Sequence, residues 1–135
     1  MQIIIPIDIE DAIRSILSEY ITAFCRPLPA TYSLPNILVT SVGGSQETDW
    51  NGRDQADTFT VNLTSRGETE ASALDLLRTA IGILKESQGG VLSRVSVNSQ
   101  YSWGNDPQRP DLAMCGATLI VVARPQTATV EKIES

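Results

Sequence analysis

Two stretches of the chain carry apolar residues at helical spacing, and four carry them at or near every second position. The first helical stretch puts Ile9, Ala12, Ile13, Ile16, Leu17, Tyr20 and Phe24 on one face, the i, i+3, i+4 pattern of an amphipathic helix of about four turns. Asp8 stands at the N-cap position, and Glu10 and Asp11 follow where the helix dipole favours negative charge. Pro27 and Pro29 end this helix near Arg26, because proline cannot continue it. The second helix spans Gly67–Gln88. Glu68 and Glu70 open it, and Leu74, Leu77, Ile81 and Leu84 form its core stripe, with Ala73 and Ala80 alongside. Lys85 lies near its end and Gly89-Gly90 stops it.

The strand-like stretches are Asn36–Val42, Thr58–Ser65, Val91–Trp103 and Asp111–Arg124. Thr58–Ser65 alternates most cleanly, with Phe59, Val61 and Leu63 between Thr58, Thr60, Asn62 and Thr64. In Val91–Trp103, Val91, Val95, Val97 and Tyr101 share one face, and Arg94, Ser96, Asn98, Gln100 and Ser102 share the other. Asp111–Arg124 is apolar on both faces, which suits a strand central in its sheet. Its small residues Ala113, Cys115 and Ala117 let a helix backbone come close.

Between these elements lie Pro27–Pro35, the polar segment Gly43–Asp57 and the turn-rich Gly104–Pro110. Gly43–Asp57 is too long for a tight hairpin and reads as a long loop. Ile3–Ile7 reads as an apolar lead-in, and Gln126–Ser135 as a polar, frayed tail. The expected architecture is α+β: a four-stranded, mainly antiparallel sheet with two helices on one face, in the order helix-strand-strand-helix-strand-strand. It is expected to form one domain over residues 1–125, with a flexible tail over 126–135.

Composition narrows the function. The chain has 135 residues, 41% of them hydrophobic, enough for one core. A net charge of −6 with only two lysines argues against a nucleic-acid or anionic-membrane binder, whose affinity rests on basic side chains. No apolar run reaches membrane-spanning length, and MQIIIPIDIED lacks the basic start of a secretory signal. Cys25 and Cys115 read as free thiols in a reducing compartment.

Candidate chemistry is sparse. Without histidine, Ser-His-Asp and Cys-His sites and His-bearing metal sites are excluded. The glycine pairs lack the spacing of a phosphate loop. Asp49-Trp50-Asn51-Gly52-Arg53-Asp54 has its glycine at the fourth position, where a calcium loop needs it at the sixth. Asn62-Leu63-Thr64 matches a glycosylation sequon but has no secretory signal before it. The carboxylate pairs sit at helix starts, where the dipole accounts for them. No acid, base and nucleophile converge, so the chain is read as a non-enzyme with no cofactor and no metal.

What stands out is surface character. The outward positions Thr58, Thr60, Asn62, Ser96, Asn98 and Gln100 are polar but uncharged, which fits a contact surface or a channel lining. Trp50, in a polar loop, reads as an interface anchor, and Trp103 as a residue at the core edge.

The order of these patterns resembles the tail terminator (tail completion) proteins of long-tailed bacteriophages, over roughly Ile9 to Arg124. The shared pattern is an opening helix and a proline-containing loop before a strand ending in Val42-Gly43-Gly44. An acidic irregular segment and an alternating strand at Ala56–Ser65 follow. Then come a helix introduced by small and acidic residues, a Gly-Gly stop, a strand, an Asp106-Pro107 turn and a last strand closing on Val121-Val122-Ala123-Arg124. The resemblance implies a homo-hexameric ring on the last ring of the tail tube, which ends tube growth and offers the surface for head attachment. It implies tail tube protein and a head-completion or connector protein as partners, DNA passing through without specific binding, and a place in the virion tail after assembly in the host cytoplasm. Under it, Asp49, Trp50, Asn51 and Arg53 are the expected inter-subunit or tube contacts, and the uncharged sheet face the channel or contact face. Another head–tail connector would satisfy the same pattern. A small-molecule-binding domain would need a concave apolar pocket, and the chain has few aromatics from which to build one.

Overall fold

In the computed structural model, residues 1–26, 32–48, 54–105 and 112–133 are described, with side chains at all of these except 43–48, 54–55, 100–102 and 105. The elements run β1 (Gln2–Ile5), α1 (Ile9–Leu17), β2 (Ala23–Cys25), β3 (Asn36–Thr48), β4 (Asp54–Gly67), α2 (Glu70–Glu86), β5 (Leu92–Asn105), β6 (Ala113–Ala123) and β7 (Gln126–Thr129). They form two sheets. One has five strands in the order β2-β3-β4-β6-β5; the other pairs β1 with β7. The β3-β4-β6-β5 run is antiparallel throughout, while β2 joins β3 in parallel.

A four-stranded sheet in the order helix-strand-strand-helix-strand-strand is therefore not what forms, and three segments account for the difference. The apolar stripe that predicts a helix to Arg26 stops being helical at Leu17. Tyr20 is 70% exposed, and beyond it Ala23, Phe24 and Cys25 pair with Ile37, Leu38 and Val39. The ladder with β3 draws a helix-spaced sequence into extended backbone, as tertiary context often does. Gly43–Asp57, expected as one long loop, is largely ladder: Gly43 to Glu47 pair with Thr60 to Ala56, and Thr48 with Asp54. Backbone pairing needs no apolar side chains, so polar and glycine-rich composition does not forbid it. Finally, Ile3–Ile7 and the tail contribute β1 and β7, which pair over all four positions, from Gln2↔Thr129 to Ile5↔Gln126.

The core lies between one face of the larger sheet and the two helices. Ile37 and Val39, Val61 and Leu63, Leu119 and Val121 all point to that face and are fully buried. They join one cluster with Ile9, Ile13 and Leu17 of α1 and Ala73, Leu77, Ala80 and Leu84 of α2. Each such side chain stabilises the fold by about 1.5–3 kcal/mol relative to exposure. Small residues set the spacing where α2 begins. Ser65 Oγ is buried and lies within hydrogen-bonding reach of two carbonyls, Ala73 O of α2 (2.7 Å) and Cys115 O of β6 (3.1 Å). At Gly67 a Cβ would sit 2.4 Å from Ser72 Oγ and 2.9 Å from Ala73 N, so glycine permits the approach. Thr69 caps α2 reciprocally with Ser72, each side chain accepting the other's backbone N–H. At its far end the chain turns through Gly89, whose φ of 97° suits glycine.

Candidate functional site

The opposite face of the larger sheet is made of the alternate residues of the same strands. In register across it stand Thr58↔Val122↔Arg94, Thr60↔Ile120↔Ser96, and Thr40↔Asn62↔Thr118↔Ser99. Leu38, Thr64 and Gly116 form the next row. None of these side chains is buried; the core and its helices belong to the other face. Between the row of Arg94 and the last row of the face, the described positions carry no charge. That last row holds Asn36 and Arg66, opposite each other and both buried, with Asn36 Nδ2 donating to Ser33 O at 2.9 Å.

Gly116 leaves a gap in the middle of this face. An open depression of about 270 Å³ lies over it, bordered by Thr40, Asn62, Thr64, Ser99 and Thr118. A second, of about 210 Å³, continues past Thr64 to Met114, Gly104 and the half-exposed Trp103. Thr118 Oγ1 donates to Asn62 Oδ1 (2.8 Å), and Thr118 N donates to Ser99 Oγ (3.3 Å). These bonds fix the hydroxyls in place. They present hydrogen-bond donors and acceptors to whatever meets the face.

One charged contact pins the fold at the border of this face. β3 slips register between Ser41 and Gly43, and Glu10 of α1 meets the break. Its Oε2 accepts from Ser41 N (3.1 Å) and from Arg26 Nη2 (2.5 Å). The hydrogen bond from Arg26, aided by that from Ser41, holds the Glu10 carboxyl below the usual carboxylate range, against the opposing effect of its partial burial. Cys25 and Cys115 are free thiols. Burial pushes the Cys115 thiol up, which keeps it protonated and unreactive.

Of the residues singled out from the sequence, Thr58, Thr60, Asn62 and Ser96 share the open face. Asn98 is exposed at a register shift between Val97 and Ser99. The side chain of Gln100 lies outside the described residues, as do Asp49, Trp50, Asn51 and Arg53 altogether. Sequence reasoning missed Thr40, Ser99, Gly116 and Thr118 as members of the site. The parity of β6 is enough to place Thr118 opposite Asn62. Ser99 reaches the face only through the register shifts of β5, which alternation does not reveal.

Among the described residues, no group of three or more His, Cys, Asp or Glu side chains is placed to hold a metal ion. No helix there is long and apolar enough to cross a membrane. No protein-family model matches the chain, and no curated protein sequence matches it either.

Proposed function

We propose that the chain is a structural assembly protein of the tail-terminator kind: a subunit of a homo-hexameric ring that caps a phage tail tube, ends its growth and presents the surface for head attachment. The observation that carries this reading is the open face around Asn62 and Thr118, hydroxyl-rich and uncharged over several rows. A solvated face more commonly carries Lys and Glu. A face of hydroxyls and amides can meet another protein surface without burying an unpaired charge. It can also border a channel through which DNA slides, because its middle rows, between Arg94 and Arg66, offer no cations to hold phosphates, and the net charge of −6 works in the same direction. In this reading tail tube protein and a head-completion or connector protein are the partners, and the ring ends in the virion tail after assembly in the host cytoplasm. The depressions on the face are open, and the one over Gly116 is lined mainly by hydroxyls and an amide, unlike the enclosed apolar pockets that small ligands favour.

Light scattering over a wide concentration range tests the reading. A species of hexameric mass is expected, and a stable dimer would overturn it. If the chain stays monomeric, the next step is to add tail tube protein and look for capped tubes of limited length by electron microscopy. Uncapped tubes of unlimited length would then count against the proposal. Thr60→Arg and Thr118→Arg should keep the fold and disturb the ring or the passage of DNA.

A further inference from the structure

Among the described strands, the short β2 and the long β5 end the larger sheet, and β1 and β7 form a ribbon of their own; β5 and the ribbon are treated differently. β5 is a long edge strand. It carries Arg94 and three register shifts, and Gln88 Oε1 takes the Val95 N–H at 2.9 Å. Charge, irregularity and capped N–H groups are devices that keep an edge from pairing. The β1–β7 ribbon has none of them. Its strands, QIII and QTAT, hold no charged residue and no proline, and pair without a register shift.

The hydrogen bonds show which groups the ribbon leaves open. Met1 and Val130 exchange both backbone bonds, at 2.9 and 2.8 Å. In an antiparallel ladder such pairs alternate with pairs whose N–H and C=O groups turn outward. Ile3↔Ala128 and Ile5↔Gln126 therefore face inward. Gln2 and Ile4 on one edge, and Thr127 and Thr129 on the other, turn their backbone groups away from the ribbon. Ile4 is 53% exposed on one face of the ribbon, and Met1 and Val130 are exposed at its end. The ribbon packs chiefly against itself, and an isolated two-stranded ribbon is marginal in water.

We propose that this ribbon pairs edge to edge with the same ribbon of a second copy of the chain. A partner for these edges must offer a free ladder of similar length and no charge, and a second ribbon meets both demands. Two copies of a chain with net charge −6 repel unless they meet away from their carboxylates, and β1 and β7 carry no charged side chain, with only the Met1 ammonium at the ribbon's end. Joining the edges makes a sheet of four strands, past the size at which sheets become stable. So short a seam buries far less than the roughly 800 Å² per partner of a stable dimer, so association through it is weak and depends on concentration. The inference does not rest on the ring reading, since two copies suffice.

Ile4→Pro and Thr127→Pro test it. Each removes one outward N–H and no inward one, and edge positions of that kind tolerate proline. In light scattering of the full chain, mass is expected to rise with concentration. At least one proline variant should need about tenfold more protein to reach the same mass, the scale of lost inter-strand hydrogen bonds. Ile4→Thr, which keeps the N–H, should follow the parent. Loss with both variants means head-to-tail pairing, and loss with one means two-fold pairing; either supports the inference. Amide exchange gives an independent reading: Ile4 or Thr127 should slow at high concentration, while Ile3 and Ala128 stay slow throughout. A parent that remains monomeric up to its solubility limit overturns the inference. So do proline variants that associate like the parent, and a hexamer that survives both substitutions would do so while leaving the ring reading intact.

Discussion

The two faces of the five-stranded sheet are built from the same strands and serve opposite ends. On one, Val39, Leu63 and Leu119 are sealed under α1 and α2. On the other, one residue along each strand, Thr40, Asn62 and Thr118 lie open around Gly116. Alternation along a strand thus separates the residues that hold the fold from those free to meet something else. The difference teaches where to look: a substitution on the first face reads out in stability, and one on the second in assembly.

The sharpest way to break this comparison is to empty the closed face. Leu63→Ala should lower unfolding free energy by about 3 kcal/mol in a denaturant titration; a loss under about 1 kcal/mol would mean that the site is not packed as described. Gly67→Ala comes next. Its methyl group would press on Ser72 Oγ and, at 2.9 Å, on the backbone of Ala73, costing about 2 kcal/mol. Combining it with Ser72→Ala should restore only part, because the backbone contact stays.

Glu10→Gln probes the clamp at the border and should cost about 1 kcal/mol near neutral pH. The carboxyl is held lower in the folded chain than in the unfolded one. Its contribution is therefore present above the unfolded value and is lost as pH falls through the folded value. Parent and variant should converge in stability in acid, and a constant gap down to that range would contradict the assignment. The smallest effect is expected on the open face. Thr118→Val removes the bond to Asn62 Oδ1 from a half-buried position outside the core, and stability should move by no more than about 0.5 kcal/mol. A large loss would mean that this face is part of the core after all.

The inner residues of this design were legible in the sequence. The alternation of Phe59, Val61 and Leu63 and the stripe of Leu77, Ile81 and Leu84 name their elements directly. Thr58, Thr60 and Asn62 follow as the complement. What escaped is set by partners far along the chain. β1 gains its identity only from residues such as Thr129, and three residues at Ala23–Cys25 become a strand only beside Ile37–Val39. Gly43-Gly44 obeys every rule for a stop, yet β4 holds it in the ladder opposite Thr60 and Phe59. Ser99 escaped for a related reason, since a register shift changes which way a side chain points.

The central ladder between β4 and β6 has a consequence in time. β3 with β4, and β5 with β6, join segments adjacent along the chain. The β4–β6 ladder instead brings together residues such as Ser65 and Cys115, fifty positions apart, with α2 and β5 between them. Closing so long a loop carries an entropic cost that its contacts offset only once made. Two hairpins ready early and a seam between them zipped late is the order that this connectivity favours. The folding rate should then respond most to residues along that seam.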